Sequence, residues 1–203
     1  MPAIGITGGI STGKTTFCEC LREMLPTAKF FNADEAAHVL LEVSEVKREI
    51  RAEFGSRVFS RDGDLNRGHL RAIIFGDPTR KRALERILHP RIRRQWRTEA
   101  KRHRNSPNFF FADIPLLYET GGETLCDRVV VVACSQNVQL GRLKKRMSMT
   151  LSEAREMIKL QMPIEEKIRR ADHVVWNNQD RAALYDQARF LMALWQGQTW
   201  TKK

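Results

Sequence analysis

The sequence predicts an α/β fold built on a five-stranded, doubly wound parallel sheet, and three observations carry that expectation. Five short apolar runs alternate with stretches of helical periodicity along the 203 residues. Two of the runs, "NFFFADIPLL" from Asn108 and "RVVVVAC" from Arg128 to Cys134, are apolar without alternation, the pattern of central strands buried on both faces. No internal repeat or low-complexity tract interrupts the chain, so one domain with insertions accounts for its length.

Taken in order, Ala3 to Thr7 is short and apolar enough for the first strand, and Thr15 to Leu25 carries Phe17, Leu21 and Leu25 at helical spacing before Pro26 stops it. Ala28 to Asn32 predicts the second strand. From Asp34 a helical pattern runs to Phe54 and ends at Gly55. Gly63 and Gly68 punctuate the next stretch, "HLRAIIFGDP" resumes helix until Gly76 and Pro78, and Pro90 is expected to kink or restart the basic helix after it. Beyond the two central strands, Ser135 is placed to cap a helix through Met147, and Thr150 with Glu153 forms a capping box. "DHVVWN", Asp172 to Asn177, predicts the last strand, and Arg181 to Trp195 a closing amphipathic helix.

Composition narrows the function. No stretch approaches eighteen apolar residues and the N-terminus lacks the basic region that opens a secretory signal, so a cytoplasmic protein with no membrane contact is expected. Cys18, Cys20, Cys126 and Cys134 show no metal or redox spacing and are expected as buried thiols of a reducing compartment. The net charge of +11 is concentrated: Arg80 to Arg104 holds eleven Lys and Arg against Glu85 and Glu99. Leu84, Ile87, Leu88, Ile92 and Trp96 recur there at three to four, which suits a buried stripe with solvated charges opposite. A small polyanionic substrate suits it too, and nucleic acid less well, because Trp96 is the segment's single stacking aromatic.

Chemistry is announced by "GITGGISTGKTT", residues 5 to 16. Gly8, four residues, then Gly13-Lys14-Thr15 is the phosphate-loop pattern, whose backbone N–H groups curl around phosphates while the Lys reaches their outer oxygens. The loop sits between a predicted strand and a predicted helix, as that function demands. Gly9, Ile10, Ser11, Thr12, Gly13, Lys14, Thr15 and Thr16 are therefore the expected nucleotide-binding residues.

Phosphoryl transfer also needs a group to orient the nucleophile, a metal site and cations for the moving charge. Asp34 stands just past the second strand, where ligands collect at a parallel sheet, and can either accept a hydroxyl proton or cap the helix behind it. Asp113 ends another apolar strand, where it serves either a magnesium site or a turn before Pro115. Arg142 and Arg146 lie four apart and share a helix face, either as a phosphate clamp or as solvated surface.

Together "ITGGISTGKTT", "ADEAAHVL", "LHPRIR", "DIPLLYE", "RVVVVAC", "QLGRLKKRM", "KLQ" and "EEKIRRADHVVWNN" give a chain that resembles the dephospho-coenzyme A kinases from end to end. The joined "DIPLLYE" and "LHPRIR" and the stretch from Gln161 to Asn177 are the specific pieces. The resemblance implies a P-loop kinase with a helical substrate-binding region at about 35–106 and a lid at about 136–171. It implies ATP as co-substrate, Mg2+, and phosphorylation of the 3'-hydroxyl of the dephospho-coenzyme A ribose. On that resemblance Asp34 is the base or orienter, Lys14 and Thr15 serve ATP and magnesium, Arg142 and Arg146 are lid cations, and His89 and Asp113 belong to the substrate side. Ser11 replaces the usual Gly, Asn32 the first Asp of an Asp-Ala-Asp triplet, His38 a common Arg, and Met147 an Asp. The alternatives are a nucleoside or nucleotide kinase and, in another class, a nucleic-acid-binding P-loop protein.

Overall fold

Alternation along the first strand organises the sheet. In the computed structural model, which describes residues 3–147 and 150–197, β1 (Ala3–Gly8) is central. It sends Ile4 and Ile6, both fully buried, to one face. Gly5 and Thr7 point to the other, where a Cβ on Gly5 would lie 2.5 Å from the Cys126 sulfur, too close for any other residue. The Thr7 hydroxyl donates there to the Pro115 carbonyl at 3.0 Å.

The strand order is β2 (Lys29–Asn32), β3 (Phe110–Asp113), β1, β4 (Arg128–Ala133), β5 (His173–Trp176). β1 pairs in parallel with β3, Ile6 opposite Asp113, and with β4, Gly8 opposite Val132; β4 pairs in parallel with β5. β3 and β4 are buried along nearly their whole length, as their unbroken apolar runs predict. Because parallel neighbours need crossovers, the strand ends carrying Gly8, Asp113 and Ala133 lie along one edge of the sheet, where helices begin.

On the face of Ile4 and Ile6, α1 (Lys14–Met24) packs with α9 (Arg181–Gln196). Phe17, Leu21, Phe111, Val130, Leu184 and Trp195 fill that core. Phe109 stacks on Phe111 with ring centroids 5.9 Å apart, and Trp195 meets both rings at a tilt at 6.1 to 6.2 Å, adding aromatic contact to apolar burial. The chain divides into two compact units, one joining Met1–Phe31 to Glu99–Lys203 and the other Asn32–Thr98. The second has its own core of Leu40, Leu41, Val46, Ile50, Val58, Leu70, Leu84 and Leu88.

One helical expectation needs correction, and at Pro90 the basic helix does not restart. The pattern from Asp34 to Phe54 is not one helix but α2 (Ala33–Leu40) and α3 (Ser44–Phe54). Glu42 and Val43 donate to the carbonyls only three residues back, and Val43 is extended, so the chain turns and buries both Leu40 and its neighbour Leu41. A straight helix would splay those two side chains about 100° apart. After α4 (Arg67–Gly76), α5 (Pro78–His103) runs through Pro90 without a break. Proline removes a single helical donor, while burial of Leu84 and Leu88 before it and Trp96 after it holds both sides on one helix. Its start matches proline's preference for the first helical position, with Asp77 Oδ1 accepting the N–H groups of Thr79 and Arg80.

Of the remaining helices, α6 (Gln136–Met147) and α7 (Leu151–Lys159) flank the undescribed residues 148–149, with the capping box formed by Thr150 and Glu153. α8 (Ile164–Arg170), which was not expected from the sequence, leads into β5. All four cysteines are free; Cys18, Cys20 and Cys134 are buried, and burial raises the pKa of every one of the four thiols.

Candidate active site

The turn from β1 into α1 is shaped by what surrounds it. Gly13 caps α1 in the left-handed region at φ 98°, and a Cβ there would fall 1.9 Å from the Asn177 amide nitrogen, so both conformation and space require glycine. Ser11 also takes a left-handed backbone, at φ 56°. A serine held in this conformation lacks glycine's freedom and costs about 1–2 kcal/mol.

The loop's carbonyls are claimed by the protein. Asn177 Nδ2 donates to the Thr12 carbonyl at 2.8 Å, and Arg142 Nη1 reaches the same oxygen at 3.3 Å. Gln139 Nε2 donates to the Ile10 carbonyl at 2.8 Å, while the Ile10 N–H donates to Gln161 Oε1, also at 2.8 Å. The Thr12 hydroxyl closes the turn on the Gly9 carbonyl at 2.9 Å. α1 begins with no side-chain cap and no acid in its first turn, so its leading N–H groups and positive dipole end are left for an anion.

A cleft of about 590 Å³ opens at this helix end, lined by Gly9, Ser11, Gly13, Lys14, Thr15, Thr16, Arg142, Lys145, Asn177 and Arg181 among others. Its charge is positive, with Asp180 the acid on the lining and that carboxylate already engaged in capping α9. Ridge spacing on α6 brings Arg142 and Lys145 to the same wall. Arg146 belongs to that helix, but its side chain lies outside the described residues.

The other expected site residues lie on β3, α2 and α5. Asp113 ends β3, buried; the Cys18 thiol is pushed up by its own burial and, to a lesser extent, by the Asp113 carboxylate. Asp34 and His89 belong to the Asn32–Thr98 unit. Asp34 is exposed in the first turn of α2, and the cap is Asn32, whose side chain accepts from the N–H groups of Asp34 and Glu35. His89 lies in the middle of α5, and its burial lowers its pKa. The basic face of α5 is partly neutralised, since Arg91 pairs with Glu49 at 2.6 Å and Glu45 at 3.4 Å, while Arg80 only donates to the backbone carbonyl of Glu53.

The cleft and its loop agree with what the chain resembles in sequence. A family model for dephospho-CoA kinase matches residues 2–183. The chain belongs to the dephospho-CoA kinase family. The dephospho-CoA kinase of Anaeromyxobacter dehalogenans is 41% identical over 196 residues, covering 95% of this chain and 92% of that protein. The dephospho-CoA kinase of Geobacillus kaustophilus is 36% identical over 195 residues, covering 95% and 96%. Among solved structures, TT1252 from Thermus thermophilus superposes with a TM-score of 0.79 at 30% identity, covering 98% of each chain. The dephospho-CoA kinase from Campylobacter jejuni superposes at 0.66 with 25% identity, covering 95% of this chain and 96% of that one. A shikimate kinase from Aquifex aeolicus, at 0.52 and 14% identity, shares the fold alone.

The sequence reading gave no site role to Gln139, Lys145, Gln161, Lys167 or Asn177, although all of them lie within the pieces that carry the resemblance. Lys145 was legible as the i+3 neighbour of Arg142. Lys167 occupies the inward spacing of Ile164, Ile168 and Ala171, an apolar-stripe position held by a charge. Gln139, Gln161 and Asn177 carry no local signal, since each meets the loop from 129 to 165 residues away.

Proposed function

We propose that this chain transfers the γ-phosphoryl group of ATP to the 3'-hydroxyl of the ribose of dephospho-coenzyme A, giving coenzyme A and ADP. The observation that carries the reading is the uncapped start of α1 opening, beside Lys14, into a cationic cleft in a chain of this family. The N–H groups at the start of α1 and Lys14 bind the outer phosphates, and Arg142 from α6, with Arg146 from the same helix, spreads the charge that moves during transfer. Asp34 takes the proton of the attacking hydroxyl, or orients that hydroxyl, and His89 serves the acceptor side.

The Thr15 hydroxyl on the cleft wall and the Asp113 carboxylate at the neighbouring strand end are hard oxygen donors, and they fit magnesium, which takes few protein ligands and completes its shell with water and substrate phosphates. Bound there, Mg2+ would neutralise phosphate charge. No described helix is long and apolar enough to cross a membrane, which is compatible with work on small molecules in the cytoplasm.

The test is ADP release with dephospho-coenzyme A set against a panel of nucleoside monophosphates. Turnover confined to dephospho-coenzyme A is expected; preference for a nucleoside or its monophosphate would replace the acceptor.

A further inference from the structure

Lys167 on α8 is fully buried, and a buried ammonium is costly unless each of its protons has a partner. Here each does. Its Nζ lies 2.8 Å from Glu119 Oε1 and donates to the Pro115 carbonyl at 3.0 Å and to the Gly8 carbonyl at 3.4 Å. Those three partners come from separate pieces of the site. Gly8 is where β1 enters the phosphate loop, and Pro115 lies just past Asp113 at the end of β3. Glu119 Oε1 also accepts the Met162 N–H at 3.0 Å, and Met162 is next to Gln161, the residue that holds the Ile10 N–H.

All three partners of the ammonium are oxygens, so an apolar side chain at this position would leave the Gly8 and Pro115 carbonyls and the Glu119 carboxylate without this donor. What the ammonium supplies is a rigid link among three segments. Burial lowers the pKa of Lys167, the Glu119 carboxylate opposes that, and the Lys14 ammonium lowers it further.

We propose that Lys167 and Glu119 are positioning residues that hold the phosphate loop, through Gly8 and the Gln161–Met162 segment, in the form that receives a nucleotide's polyphosphate. Neither touches the nucleotide; each acts through the backbone of the loop. The pair therefore sets affinity for the phosphates and leaves the nucleoside part unaffected. A merely structural pair would weaken both alike, or neither.

This inference rests on the kinase reading only in that the cleft binds a nucleotide, and the test is direct binding without an acceptor. Calorimetric affinities of ADP and of adenosine are measured for the wild type, for Lys167→Met, and for the Glu119→Gln/Lys167→Met double variant, which removes both charges and stays foldable if the single one is not. In the folded variants ADP affinity is expected to fall tenfold or more, the scale of losing charge-assisted hydrogen bonds, with adenosine unchanged within twofold. An ADP-to-adenosine ratio equal to the wild type's in a folded variant overturns the proposal. A wild type that binds ADP no better than adenosine overturns instead the phosphate-loop reading beneath it.

Discussion

Asn32 Oδ1 accepts the backbone N–H of Asp34 at 2.9 Å and that of Glu35 at 3.1 Å, so the start of α2 is satisfied two residues before the carboxylate proposed to act on substrate. The capping role therefore falls to Asn32 and not to Asp34. Asp34→Asn leaves the cap in place and removes only a carboxylate from the first turn, for which a stability change of at most about 1 kcal/mol is expected. Its kcat should fall on the order of 10² to 10⁴ if Asp34 takes the proton. Asn32→Ala should do the reverse, costing about 0.5–2 kcal/mol with the proton acceptor intact. Thermal midpoints measured beside kcat for both variants decide the matter, and normal turnover by Asp34→Asn would remove Asp34 from the chemistry.

Lys14→Ala deletes a cation at the mouth of α1, on the wall of the cleft. Losing one preorganised donor in such a site typically costs roughly a hundredfold to a thousandfold in rate. Steady-state ADP formation by a variant with native circular dichroism is the check. A rate within threefold of wild type would mean that the loop does not hold the reacting phosphates.

Ser11 at φ 56° sets up a pair of opposite substitutions. Ser11→Gly relieves the left-handed penalty but gives back about 0.5–1 kcal/mol of unfolded-chain entropy, so a net gain of up to roughly 1 kcal/mol is expected, with ATP binding retained. Ser11→Val places a β-branched residue where it does not belong and should weaken ATP binding at least about tenfold. Equal affinities for the two variants would show that the loop's function does not depend on this backbone geometry.

Acid should loosen the fold through two histidines. His173 Nε2 accepts the Trp195 indole N–H at 3.2 Å, a bond made by the unprotonated nitrogen, and burial lowers the pKa of both His173 and His89. The unfolded chain therefore takes up these protons first. The stabilisation is complete above about pH 6.5, the ordinary histidine value, and declines as pH falls through it toward the lower folded values. Melting curves from pH 7.5 to 5.5 should show the decline, and His173→Gln, which keeps an acceptor without titrating, should flatten part of it. Slopes unchanged in both His173→Gln and His89→Gln would place the acid sensitivity elsewhere.

Local signals in the sequence reached as far as local physics does. β1, the loop, α1 and the buried strands β3 and β4 were legible because an apolar run or a glycine spacing is complete within a dozen residues. The turn between α2 and α3 was hidden because Leu40 and Leu41 keep the apolar pattern going while the backbone reverses. At Pro90 a restart did not occur, and Leu84, Leu88 and Trp96 are buried on the two sides of it along one helix. In the site, Lys14 and Arg142 were legible because their own neighbours mark them. The residues that hold the loop from behind were not, because Asn177 becomes a loop contact only when β5 lies beside β4 in register.

The four suppressed thiols have a practical consequence. With Cys18, Cys20 and Cys134 buried and the Cys126 sulfur packed where a Cβ on Gly5 would be, folded molecules offer maleimide or iodoacetamide almost no thiolate. A single cysteine engineered at exposed Lys144 on α6 can thus carry a fluorophore in the otherwise native chain, with none of the natural cysteines replaced. The same silence turns the native thiols into reporters, since each should react only when the segment that covers it opens, and mass spectrometry of the adducts would time that opening separately for α1, β4 and the loop before it.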